Sequence, residues 1–140
     1  NFMIYIKKED YEEIIAYAKA GLPNEACGLL GGTVDGKDRR IEKVYYLTNI
    51  DASREHFSMD PKEQFEAVKD MRANGLSLIG NFHSHPESPS RPSEEDKRLA
   101  FDPNIEYLIL SLMDAENPVL KAFGVDKEKN VTVHELQITE

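Results

Sequence analysis

The stretch LSLIGNFHSHPESPSRPSEED, residues 76–96, runs from an apolar segment through a proline-rich loop to an acidic tetrapeptide. Residues 76–82 read as a buried strand, since a short apolar run follows Asn74-Gly75, a helix stop. His83 and His85 come next, two apart, where side chains share a face and Cα atoms lie ~6.6 Å apart. Pro86 halts the strand and turns the chain away, leaving both imidazoles facing a cleft. Prolines and serines suit a turn, but a turn has no use for a histidine pair in a chain with four histidines.

The elements on either side follow from periodicity and turn chemistry. FMIYI (2–6) is rich in strand formers, and KEDYEEIIAYAKAG (8–21) places Tyr11, Ile14, Ile15 and Ala18 at helical spacing. CGLLGGTV (27–34) and RRIEKVYYLTN (39–49) flank DGKD and form a hairpin, with Gly31-Gly32 expected at a bulge or a close backbone approach. DASREHFS (51–58) is a polar connection. Asp60 caps a second helix with Pro61 in its first position and Glu63 completing a capping box. Ser93 starts a short helix running to about Phe101. IEYLILSLM (105–113) is the most apolar run and the expected central strand, and VLKAFGV and VTVHELQI supply two more. Strands outnumber helices and the two are interspersed, which predicts a single α/β sandwich around a mixed sheet over residues 1–140.

Composition narrows the function classes. The 140 residues carry 17 basic and 26 acidic side chains, a net charge of −9 that disfavours phosphate backbones and hence nucleic acid. No apolar run approaches the ~20 residues of a spanning helix, so no membrane association is expected. Cys27 is the sole cysteine, which permits a reducing compartment, and NFMIYIKKED shows neither a basic leader nor a cleavage pattern. A cytoplasmic address is the resulting expectation.

The histidine pair can serve a metal. Zinc binds imidazole nitrogen at ~2.0–2.1 Å, and a catalytic zinc commonly takes three protein ligands and a water. Asp96, eleven residues beyond His85, can return its carboxylate to the pair across the loop and one helical turn. Ser93-Glu94-Glu95-Asp96 equally fits S-x-x-D, an ordinary capping box with no chemistry. Glu25 precedes a strongly apolar strand, where a carboxylate needs a task or a partner unless it stays solvated in the connection after the first helix. His56 and His134 lie far from the motif and are expected at the surface. Ser84 is expected to face away from the ligands, Cys27 to pack, and Arg91 either to meet a substrate carbonyl or to be solvated.

Glu25, then His83-Ser84-His85-Pro86, then Ser93-Glu94-Glu95-Asp96 resembles the full signature of the JAMM (MPN-plus) metalloproteases, with ten residues between His85 and Asp96. Glu25-Ala26-Cys27-Gly28-Leu29-Leu30-Gly31-Gly32 is similar to what short prokaryotic members carry. The resemblance implies a cytidine-deaminase-like α/β sandwich. It implies one Zn2+ per chain on His83, His85 and Asp96 with a water in the fourth position, whose pKa falls towards ~7. It also implies Glu25 as general base and Ser93 as a hydrogen-bond donor to the oxyanion. The implied substrate is a ubiquitin-like or sulfur-carrier protein, cleaved after a C-terminal Gly-Gly tail. Insertions that grip ubiquitin chains in large eukaryotic members find no room here, so linkage-specific deubiquitination is not expected.

Two other readings compete. One is a non-catalytic MPN-type module that binds ubiquitin-like partners, against which the complete set Glu25, His83, His85, Ser93 and Asp96 argues. The other is a zinc nucleoside deaminase, which requires H-x-E with P-C-x-x-C and fails on a single cysteine. Peptide versus lysine isopeptide cleavage stays open, as does a homodimer.

Overall fold

Ten elements span the computed structural model, which describes residues 2–140. They are β1 (Met3–Lys7), α1 (Lys8–Ala20), β2 (Cys27–Asp35), β3 (Asp38–Leu47), α2 (Pro61–Ala73), β4 (Ser77–His85), α3 (Glu94–Arg98), β5 (Glu106–Ser111), β6 (Val119–Val125) and β7 (Val131–Thr139). The mixed α/β class and the mixed sheet agree with the sequence, and the closing of that sheet on itself is new. The strands close into a barrel in the order β1-β3-β2-β4-β5-β6-β7. Closure comes from β1, which runs parallel to β7 from Met3↔Glu135 to Lys7↔Thr139 and parallel to β3 at Ile4↔Arg39. Pairing both sides of β1 removes the exposed edges that an open sheet would present.

Burial on both faces of the sheet explains why β2 lacks alternation. Leu30 joins Ile4, Ile6, Ile14, Ala18, Phe82 and Leu108 in one cluster, whereas Cys27 and Leu29 join Ala67 and Met71 of α2 in another. Adjacent β2 residues therefore serve opposite layers, one against α1 and one against α2. Gly31 and Gly32 mark the expected bulge, with register shifts at Gly31/Gly32 towards β3 and at Leu30/Gly31 towards β4. A Cβ on Gly32 would collide with the Arg40 carbonyl, so this backbone approach requires glycine.

Three local expectations change. The Asp60 side chain accepts from Lys62 N and Pro61 starts α2 as foreseen, but Glu63 does not complete a capping box. Its carboxylate instead takes Thr48 N at 2.7 Å and Thr48 Oγ1 at 2.9 Å, fastening α2 to the end of β3. The third helix stops at Arg98 rather than near Phe101, and the Lys129 ammonium donates to carbonyls at and beyond its end, Ala100 O at 2.7 Å and Arg98 O at 3.5 Å. Finally, β4 extends through His85 instead of ending at residue 82. No described helix is long and apolar enough to cross a membrane.

Candidate metal centre

β4 lies between antiparallel β2 and parallel β5, with Cys27↔His83, His83↔Ile109 and His85↔Ser111 in register. Strand pairing on both sides fixes the histidine backbones, and both imidazoles are buried at 3% and 5% exposure. The loop after Pro86 is stapled to β5 by its own serines and by β5's. Ser90 Oγ donates to Ile109 O at 2.6 Å and Ser111 Oγ donates to Ser88 O at 2.7 Å. These bonds turn the chain back so that α3 presents Asp96 to the histidines.

The three side chains converge. His83 Nε2 and His85 Nε2 lie 3.1 Å apart, and Asp96 Oδ2 lies 3.1 Å from the first and 3.0 Å from the second. Among the described residues, His83, His85 and Asp96 form a group whose ligand atoms can share one ion. His85 Nδ1 sits 2.9 Å from Pro89 O, and a carbonyl only accepts, so Nδ1 carries a proton and Nε2 is the nitrogen turned to Asp96, donating to it without an ion and able to offer a lone pair to one. An imidazole held through Nδ1 in this way is oriented to bind a metal.

The donor set fits zinc. Bonds of ~2.0–2.1 Å at tetrahedral angles place ligand atoms roughly 3.3 Å apart. The observed edges of 3.0–3.1 Å come close to that spacing. Asp96 holds its carboxyl well below the usual carboxylate range: burial opposes this, but the bonds to His83 and His85 prevail. Burial lowers the His83 imidazole, whereas at His85 the bonds to Asp96 and Pro89 outweigh burial and raise it.

Glu25 enters from β2. Ser84 N donates to Ala26 O at 2.9 Å, so the residue beyond, Glu25, comes level with His85. Only 6% exposed, it is no solvated linker residue, and its Oε1 has no hydrogen-bond partner. Burial pushes its carboxyl up to about 8, with His85 pulling it down and Asp96 and Glu95 pushing it up. Ser93 keeps the capping role: Asp96 N donates to Ser93 Oγ at 3.0 Å and Ser93 N donates to Asp96 Oδ2 at 2.9 Å. Because Ser93 Oγ is the acceptor there, its own O–H stays free to donate. The capping box and the metal group thus share one atom, Asp96 Oδ2.

The remaining candidates fall in place. Ser84 points away from the ligands, and its Oγ accepts Ala26 N–H at 2.8 Å. Cys27 is buried, with burial pushing its thiol up to about 12, which suits packing and not nucleophilic attack. Arg91 is exposed. His134 is not a surface residue: its Nδ1 lies 2.6 Å from the buried Glu106 carboxylate. The pairing answers Glu106's need for a partner, which the sequence pattern does not display. His56 is exposed as expected, yet it lines the cleft beside His83 and Asp96 together with Phe57, Leu99 and Tyr107.

Sequence reasoning missed the segment between β3 and α2. Read as a mere polar connection, it folds over the site. Phe57 stacks on His83 with centroids 4.6 Å apart and planes at 25°, Glu25 N donates to Ser53 O at 2.7 Å, and Asn49 Nδ2 donates to Glu25 O at 3.1 Å. The available signal was Phe57, one aromatic in an otherwise polar run.

The chain is similar to known proteins in sequence and in fold. A family model described as prokaryotic homologs of the JAB domain matches residues 7–124. The chain is 27% identical over 124 residues to a protein named CysO-cysteine peptidase from Mycobacterium tuberculosis, covering 89% of this chain and 84% of that one. It is 32% identical over 105 residues to a desampylase from Haloferax volcanii, covering 71% and 74%. A solution structure of a protein from Desulfitobacterium hafniense superposes with a TM-score of 0.91 at 57% identity, covering 99% of this chain and 94% of that one.

Proposed function

This chain belongs to the prokaryotic JAB-domain family, and on that premise we propose that it is a zinc-dependent peptidase or isopeptidase. Its substrate is a ubiquitin-like or sulfur-carrier protein, cut on the C-terminal side of a Gly-Gly tail. The observation that carries the proposal is the meeting of His83 Nε2, His85 Nε2 and Asp96 Oδ2 within 3.1 Å, beside a buried and unpartnered Glu25 carboxylate. The names of the relatives support the substrate class, since one is called a CysO-cysteine peptidase and another a desampylase.

His83, His85 and Asp96 would hold the ion, one per chain. When bound, zinc supplies Lewis acidity that polarises a carbonyl and acidifies water. Glu25 receives the proton of the attacking water while oxygen adds to the scissile carbonyl carbon. Ser93 O–H donates to the developing oxyanion, a contribution of order 3 kcal/mol for a well-placed donor. Glu25 then passes its proton to the leaving nitrogen as the C–N bond breaks, so water is consumed and a carboxylic acid and an amine form, the acid's remaining proton going to the amine to leave a carboxylate and an ammonium group. In the metal-free site burial raises the affinity of Glu25 for a proton, which supports its reading as the acceptor.

The test is to incubate zinc-loaded protein with a ubiquitin-like carrier extended beyond its Gly-Gly and to weigh the products intact. Wild type yields a glycine-terminated carrier, and Glu25→Gln yields none while still holding zinc. An inert wild type on carriers from its own organism would instead favour a binding module.

A further inference from the structure

Glu25 is aimed by its main chain and not by its carboxylate. While Oε1 lacks a partner, the Glu25 N–H donates to Ser53 O at 2.7 Å and its C=O accepts from Asn49 Nδ2 at 3.1 Å. Asn49 Nδ2 also donates to His56 O at 3.1 Å, and Asn49 Oδ1 accepts from Asp51 N and Ser58 N, both at 3.1 Å. A side-chain amide has two donors and two acceptor sites, so all four capacities of Asn49 are used. One arm reaches the Glu25 backbone, and three shape the loop 50–58. That loop is closed at its base by Ile50 N donating to Ser58 O at 3.0 Å and by the Asn49–Met59 bridge, and it carries Phe57 against His83.

We propose that Asn49 is a positioning residue for Glu25, locking the general base to the 50–58 loop that covers His83. It touches neither substrate nor ion. Its amide makes the pose of the base depend on the folded loop, so a tail that docks against the loop also steadies the carboxylate. The role of Glu25 in this statement rests on the peptidase reading above, whereas the tether between Glu25 and the loop does not.

Asn49→Asp separates the positioning role from a merely structural one. It retains an oxygen for the amides of Asp51 and Ser58, but it replaces the donating nitrogen by an oxygen facing two carbonyls. With zinc-loaded protein and a ubiquitin-like carrier extended beyond Gly-Gly, kcat falls by about 10–100-fold while KM stays within about 3-fold. Thr48→Val is the control: it trims the neighbouring tie from β3 to Glu63 without touching Glu25, and it keeps the wild-type kcat. Amide hydrogen exchange supplies a readout that needs no turnover. In Asn49→Asp the Glu25 amide and the amides of 50–58 exchange faster together, while those of Leu108 to Leu110 in β5 are unmoved. An inert wild type would sink the peptidase reading alone, and the exchange pattern would still decide the tether. The positioning proposal is overturned if Glu25 exchange stays at the wild-type rate while the loop loosens, or if Asn49→Asp turns over at the wild-type kcat.

Discussion

The Ser84 hydroxyl accepts the Ala26 N–H at 2.8 Å, taking the place of a main-chain carbonyl where β2 leaves the sheet. Ser84 N returns a bond to Ala26 O at 2.9 Å. The residue between the two histidines thus turns its side chain to β2 and not to the His83–His85–Asp96 group. It fixes the point at which the chain departs towards Glu25. Replacing it exposes the cost: Ser84→Ala leaves a buried N–H without its acceptor, which is expected to lower the unfolding free energy by about 1–3 kcal/mol. Urea titration checks this, and Ser84→Thr, which keeps the hydroxyl, is expected to lose less.

Removing the metal should weaken the fold, because an ion that binds only the native state stabilises it by mass action. Free zinc at a thousandfold excess over its dissociation constant corresponds to about 4 kcal/mol. A chelator is therefore expected to lower the thermal midpoint of wild type. Asp96→Ala should melt at the same temperature with or without zinc, and differential scanning calorimetry reads both.

Burial of Glu25 sets a pH dependence in the metal-free protein. Its carboxyl rises from an ordinary 4.5 to about 8 on folding, so the native state favours the protonated form. The carboxylate costs nothing below the unfolded value, and the loss of stability grows as pH climbs from there towards about 8. Metal-free Glu25→Gln is expected to exceed wild type in stability at pH 7 by on the order of 3 kcal/mol, and to match it near pH 4. Urea midpoints in the presence of chelator test the sign. Equal midpoints at both pH values would show that Glu25 is solvated.

The two histidines outside the motif should behave oppositely. His134 pairs with Glu106 at side-chain exposures of 12% and 5%, and His134→Ala strands a buried carboxylate. Breaking a buried pair this way costs about 3–5 kcal/mol. His56 pairs with Asp51 at 47% and 33% exposure, so His56→Ala is expected to change stability by less than about 1 kcal/mol. Guanidinium denaturation of the two variants distinguishes them.

The legible parts of this protein were those encoded by spacing along the chain. His83 and His85 share a strand face, Ser93 and Asp96 sit one helical turn apart, and both relations survive folding as a shared atom, Asp96 Oδ2. Contacts made by distant segments were not legible. Closure of the barrel depends on β1 meeting β7 across more than 130 residues, and β1 has the same strand-forming composition whether it pairs on one edge or two. Glu63 obeyed the capping pattern and yet bonded Thr48, a tertiary partner at the end of β3 that its local sequence does not display. Asn49 ends the 39–49 strand expected from sequence, but β3 stops at Leu47, and the carbonyl of Glu25 that Asn49 holds belongs to another segment.

The central claim is that two imidazoles and one carboxylate hold a single ion and leave one position open. Zinc-edge anomalous diffraction on crystals of zinc-loaded protein tests it most directly. The account predicts one anomalous peak per chain, bonded to His83 Nε2, His85 Nε2 and an Asp96 oxygen, with a fourth ligand that is not a protein atom. A peak elsewhere, a fourth side chain on the ion, or no peak in zinc-saturated crystals would contradict it.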